Sequence, residues 1–147
     1  DADVAFSPED VLKLYSYQKP IVSASYPMKT IPIRHCYEVC NPVKLCGSLV
    51  KIGGIGMGFV LIHRSVFENL NKHYSELKYF PALNNSNYPI TEKEYHNSYH
   101  YFAEMNKEGR YLGEDMSFFH RVSDVGYDVW LDTSIELQHI GSHVFGK

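Results

Sequence analysis

Apolar and polar positions alternate along this chain at two different periods, and the changes of period mark its elements. Ser7-Pro8-Glu9-Asp10 reads as a helix start. Ser7 can cap, Pro8 suits the first turn, and the two acids favour the positive end of the helix. That helix is expected to run to about Tyr17 and to stop before Pro20. The apolar run Ile21 to Ser25 predicts a short buried strand. Two β-rich pieces, Ile31 to Cys40 and Leu45 to Ile52, predict a hairpin in a stretch broken by Pro27, Pro32 and Pro42. A glycine-rich run from Gly53 to Gly58 reads as a turn before the apolar run Phe59 to Ile62. Ser65 to Tyr74 has helical pattern.

From Lys78 to Arg110 the chain is polar and rich in Tyr and Asn, without a clear period, and predicts a long loop. Helical pattern returns at Glu114. Phe118, Val122 and Val125 fall at i, i+4 and i+7, and Gly126 suits the helix end. Tyr127 to Leu131 predicts the next strand. Short strands alternating with helices argue for an α/β layer structure.

The 147 residues suit one domain, spanning 1–147, and can bury a core. A net charge of −3 and the lack of a long basic run exclude general attraction to nucleic acid or anionic membrane. A phosphorylated ligand would therefore need a metal or well-placed donors. No apolar run has the length of a membrane span, and no leader is visible. The compartment stays open, with the cytoplasm as the expectation. Cys36, Cys40 and Cys46 are odd in number and lack Cys-x-x-Cys pairs. They predict reduced thiols and argue against zinc.

Four segments carry candidate chemistry. Asp1-Ala2-Asp3 comes first. On an extended segment both carboxylates point the same way and can meet Mg²⁺ or Mn²⁺ and the oxygens it bridges. Gly113-Glu114-Asp115 comes second. With Gly113 as cap, both acids sit in the first helical turn, where one can serve as a general base if burial offsets the helix dipole. His139 and His143 come third. A neutral imidazole can complete an oxygen-rich metal shell, and Gly141 between the two rules against a zinc helix. The Gly53 to Gly58 run comes fourth. It lets backbone approach a ligand closely, but it precedes a strand and does not follow one, which argues against a dinucleotide-binding loop.

Together these segments resemble nucleotide-sugar glycosyltransferases of the GT-A fold. The resemblance lies in Asp1-Ala2-Asp3-Val4 with Ser7-Pro8-Glu9, in Ile21 to Lys29, in Gly56-Met57-Gly58-Phe59 to Arg64, and in Gly113-Glu114-Asp115 through Gly126-Tyr127-Asp128 to His139-Ile140-Gly141. The chain is similar to small chlorella-virus and bacteriophage enzymes of this kind.

The resemblance implies a three-layer α/β/α fold with a mixed central sheet. It implies that Asp1, Asp3 and His139 hold Mn²⁺ or Mg²⁺, with Asp115 as catalytic base and Glu114 beside it. Lys29, Gly56, Met57, Gly58, Phe59 and Gly113 would line the donor and acceptor sites. The donor would be a nucleoside diphosphate hexose, UDP-linked by family habit. The acceptor would be a hydroxyl of a glycan or glycoprotein, and inversion is the expected stereochemistry. The nucleotide-binding strands that precede the metal motif in this fold are not in the chain, so it is expected to be the C-terminal catalytic part of a larger protein. Two other classes remain open: a metal-dependent phosphoryl hydrolase, and a non-catalytic carbohydrate-binding module on the same scaffold.

Overall fold

The computed structural model describes residues 1–79 and 91–146. The chain is a mixed α/β structure built on a six-stranded sheet. Its strands are β2 (Ile21–Ala24), β3 (Tyr37–Val39), β4 (Leu45–Cys46), β5 (Leu49–Ile55), β6 (Val60–Ile62) and β9 (Val129–Asp132). The order is β3-β5-β9-β2-β6, with β4 paired to β5. Only β2 and β9 run parallel, with Val22 opposite Trp130 and Ala24 opposite Asp132. The other pairings are antiparallel.

Helices pack on both faces of this sheet. Helix α1 (Pro8–Ser16) has the expected reciprocal cap, with Asp10 N donating to Ser7 Oγ and Ser7 N donating to the Asp10 carboxylate. It buries Leu14 against Val22, Ala24 and Leu49. Helices α2 (Arg64–His73) and α4 (Glu114–Asp124) bury Val66, Leu70, Phe118, Phe119 and Val122 against Ile21, Ile52 and Val129. Ile21 and Val22 are neighbours on one strand, yet they belong to different core clusters. This is the alternation of a strand covered on both sides. Helix α4 ends as expected, with Gly126 at φ +86. No helix among the described residues is long and apolar enough to cross a membrane.

A second sheet positions the site. It joins β1 (Val4–Ala5), β10 (Gln138–Ile140) and β11 (Val144–Phe145). Val4 pairs with His139, and Ile140 N donates to Asp3 O at 2.8 Å. The two ends of the chain thus meet through main-chain hydrogen bonds.

Three expectations are corrected. The Ile31–Cys40 and Leu45–Ile52 pieces do not form a simple hairpin. Only Tyr37–Val39 is strand on the first side, and it pairs with Ile52 to Ile55, while Leu45–Cys46 turns back on Leu49 and Val50 through Gly47 at φ +61. Gly53 and Gly54 are strand, not turn. A Cβ on Gly54 would lie 2.9 Å from Met116 Sδ and 3.2 Å from Phe119 Cβ, so glycine here lets α4 seat closely on β5. The expected loop from 78 to 110 contains α3 (Glu92–His96) and part of a hairpin, β7 (Met105–Lys107) with β8 (Arg110–Leu112). Glu108 and Gly109, at φ +51 and +78, form the left-handed two-residue turn that suits such a hairpin. Residues 80–90 of that expectation lie outside the described residues.

Candidate functional site

Pairing of β1 with β10 places Asp3 beside His139. Asp3 Oδ2 is 3.4 Å from His139 Nε2 and 2.7 Å from Lys29 Nζ. The other imidazole nitrogen, Nδ1, is 2.9 Å from the carbonyl oxygen of Pro27. A carbonyl oxygen can only accept, so Nδ1 carries a proton and donates. That leaves Nε2 either protonated toward Asp3 or presenting its lone pair to a carboxylate. A cation between the two satisfies the second arrangement, and a backbone carbonyl holding the far nitrogen is the usual support of a metal-binding histidine. The His139 side chain is only 14% exposed, while that of Asp3 is 44% exposed. The Asp3 pKa is lowered, first by the hydrogen bond from Lys29, which outweighs the opposing loss of solvent, and further by the Lys29 and His139 charges.

Asp1 behaves differently from the expectation. Residues 1–4 form a turn, closed by Val4 N donating to Asp1 O at 3.3 Å, so the chain is not extended here. The nitrogen of Asp1 donates to Gly58 O at 2.7 Å, and its side chain is exposed. Among the described residues no group of three His, Cys, Asp or Glu side chains assembles. Of the three expected ligands, Asp3 and His139 are the two that lie side by side. Two protein ligands, with water and phosphate oxygens completing the shell, suit Mg²⁺ or Mn²⁺.

Tyr26 links this pair to the second half of the site. Its ring stands edge-on to His139, centroids 5.2 Å apart at 84°. It lies so close over Gly56 and Gly58 that a Cβ on either would collide with it, through the hydroxyl at Gly56 and through the ring at Gly58. Burial raises the Tyr26 pKa, partly offset by the Gly58 backbone. Sequence reasoning included Tyr26 in a familiar segment but gave it no role. The glycines at 56 and 58 were the signal, since they require a close neighbour.

Met57, between those glycines, donates its backbone N–H to Asp115 Oδ2 at 3.2 Å. The Asp115 pKa is raised, first by burial and then by the Glu114 charge, with the Met57 hydrogen bond pulling the other way. Burial thus prevails over the backbone donor. Gly113 caps α4 without a side-chain bond, and its carbonyl accepts from Ser117 N. Glu114 is exposed. Phe59 is buried and packs against Phe6, with ring centroids 4.8 Å apart. It supports the 56–58 segment from behind.

A half-open cavity of about 430 Å³ adjoins this arrangement, lined by Pro27, Ile33, His35, Tyr37, Ile135 and Leu137 among others. At its wall Ser25 Oγ and His35 Nδ1 are 2.7 Å apart. The cavity shares Pro27 with the Asp3–His139 pair, whereas Asp115 stands at its own end of the site. No family model, no curated protein and no solved structure matches the chain.

Proposed function

We propose that the chain is the metal-binding and acceptor-side part of a GT-A-type glycosyltransferase, moving a hexose from a nucleoside diphosphate sugar to a hydroxyl of a glycan or glycoprotein. The observation that carries this reading is a continuous set of contacts between two unlike acidic sites. Asp3 faces His139, His139 meets Tyr26, Tyr26 lies on Gly56 and Gly58, and Met57 between them holds Asp115.

The roles follow from the environments. Asp3 and His139 Nε2 would hold Mg²⁺ or Mn²⁺, which when bound would offset charge on the leaving diphosphate. Asp115, half-buried and with a raised pKa, takes the proton from the acceptor hydroxyl. The freed oxygen attacks the anomeric carbon, and the bond to the diphosphate oxygen breaks with its electron pair leaving on that oxygen. Attack from the face opposite the leaving group inverts the centre. Glu114, exposed beside Asp115, is free to meet sugar hydroxyls. Met57 N–H keeps the Asp115 carboxylate aimed, and Tyr26 walls the space between base and cation site. UDP-sugars are the first donors to test, on resemblance alone.

The test is a panel of nucleotide-sugars given to the full-length protein with Mn²⁺, scoring free nucleotide. One donor is expected to be turned over. Asp115→Ala is expected to lose about 10²- to 10⁴-fold in kcat, the usual worth of a general base. Asp3→Ala should fall by a similar order, and Asp115→Asn should keep more donor affinity than Asp3→Asn. Unchanged turnover in either alanine variant refutes these roles. Glycan binding without turnover of any donor points to the binding module instead, and metal-dependent cleavage of a nitrophenyl phosphodiester points to the hydrolase.

A further inference from the structure

Lys29 has a role that its carboxylate partner, Asp3, defines. Its ammonium and the His139 imidazole converge on the same oxygen, Asp3 Oδ2, at 2.7 and 3.4 Å. A divalent cation bridging Asp3 and His139 would need that oxygen and would place two positive charges beside a third. The Lys29 side chain is partly open to solvent. It is 39% exposed, and its stem lies over Gly141, where a Cβ would stand 3.4 Å from Cδ and Cε. Its backbone is not free in the same way. Met28 N donates to Arg34 O at 2.7 Å and Thr30 N to Met28 O at 2.8 Å, so Lys29 is the central residue of a tight turn at the closed end of the 28–34 loop.

We propose that Lys29 is a resident cation of the site: its ammonium occupies the place on Asp3 that a divalent metal takes, the metal binds by displacing it, and the displaced ammonium is released toward the anionic ligand that the metal brings. The inference rests on the cation site proposed above and adds a regulation to it. Lys29 keeps Asp3 ionised and neutralised when metal is absent, and it makes metal binding and release of the lysine one coupled event. Glycine at position 141 lets the stem lie close on the backbone there.

The experiment measures Mn²⁺ binding to the chain without nucleotide, by the electron paramagnetic resonance signal of free Mn²⁺. Asp3→Asn reports on the site, and Lys29→Gln reports on displacement. Lys29→Gln is expected to bind Mn²⁺ about three- to tenfold more tightly than the unaltered chain, because an exposed ion pair no longer has to be broken and a like charge is gone. Asp3→Asn is expected to abolish the binding. A second readout follows the lysine itself. Acylation of Lys29 by a small active ester, mapped by mass spectrometry, should speed up several-fold when Mg²⁺ is added, while acylation of the exposed Lys44 stays constant. Equal Mn²⁺ dissociation constants for Lys29→Gln and the unaltered chain overturn the inference, as does Lys29 acylation that ignores saturating Mg²⁺. In either case loss of binding in Asp3→Asn would leave the cation site standing. Mn²⁺ binding by neither the unaltered chain nor Lys29→Gln overturns both.

Discussion

Gly56 and Gly58 are required for different reasons, and a double-mutant cycle with Tyr26 separates them. Neither has a left-handed φ, so the argument is one of space alone. A Cβ on Gly56 would meet the Tyr26 hydroxyl first, with the next atoms, Tyr26 Cζ and Asp115 Oδ2, at 3.3 and 3.8 Å. A Cβ on Gly58 would meet the ring itself, with Cε1 nearest, Cζ at 2.6 Å and the hydroxyl at 3.0 Å. Each alanine alone overpacks a filled space, which costs about 1–3 kcal/mol. Tyr26→Phe removes only the oxygen. At position 56 the closest remaining atom is then at 3.3 Å, a tight contact that small shifts absorb. At position 58 the ring carbons remain in place. Tyr26→Phe is therefore expected to recover most of the cost of Gly56→Ala, a coupling of about 1–2 kcal/mol, and almost none of the cost of Gly58→Ala. Tyr26→Ala should recover both. The assay is urea unfolding of the single and double variants, followed by circular dichroism. Equal coupling of Tyr26→Phe to both glycines would refute the contact geometry on which the site rests, because the two clashes would then share one cause.

Two further predictions concern carboxylates. Asp132 is fully buried and accepts from Tyr17 Oη at 2.8 Å, Ser134 N at 2.8 Å and Ser134 Oγ at 2.6 Å, with Lys13 Nζ at 3.1 Å. Burial alone would raise its pKa, but these partners together hold it below the ordinary value. Asp132→Ala unties α1 from β9 and leaves the Ser134 amide without its acceptor, while Tyr17 keeps Ser48 and Lys13 keeps Ser134 Oγ, at a cost of about 1–3 kcal/mol, measured by urea unfolding. A loss under 1 kcal/mol would contradict this reading. With the folded pKa below the unfolded one, the stability Asp132 contributes is present above the unfolded value and is lost as pH falls through the folded value. Asp115 has the opposite sign. Its folded pKa is raised, so its carboxylate costs the fold stability as pH climbs through that raised value. Asp115→Asn should raise Tm at neutral pH while lowering turnover about 10²- to 10⁴-fold, and the gain in Tm should vanish in acid where the native carboxyl is protonated. A lower Tm than the unaltered chain at pH 7 would contradict this.

What could be read from the chain divides by the range of the interactions involved. Helix α1 was legible because its cap is local: Ser7 and Asp10 satisfy each other within one turn. Helix α4 was legible because its apolar period and Gly126 also act locally. The 105–112 hairpin was missed because its strands are mostly exposed and show no alternation, leaving Glu108-Gly109 as its sole cue. The meeting of Asp3 with His139 was expected from the resemblance alone, since no local pattern joins positions 3 and 139. The direction of Asp1 was foreseen wrongly, because the 1–4 turn follows from where Val4 must lie to pair with His139. Tyr26 was visible as a residue, but its contacts with Gly56 and Gly58 span some thirty positions and exist only once β2 and the 56–59 segment sit side by side.

The roles proposed for the two aspartates fit surroundings that differ in kind within one set of contacts. Asp3 is exposed at a strand end, with a lysine and a histidine on one oxygen, and its pKa is lowered. Asp115 is withdrawn behind the 56–58 backbone, with a single amide donor and a like charge beside it, and its pKa is raised. A helix-start acid placed only for the dipole would be lowered, which Asp115 is not. Divergence of this kind is how a fold assigns a charge-holding role to one carboxyl and a proton-moving role to another. The arrangement also suits the overall charge. A chain at −3 does not attract a diphosphate by its general field, so the attraction has to be local, and Lys29 with a cation on Asp3 and His139 is where it would come from. Exchanging the two environments by substitution, for instance with Lys29→Glu, would raise the Asp3 pKa toward that of Asp115 and remove the difference on which both roles depend.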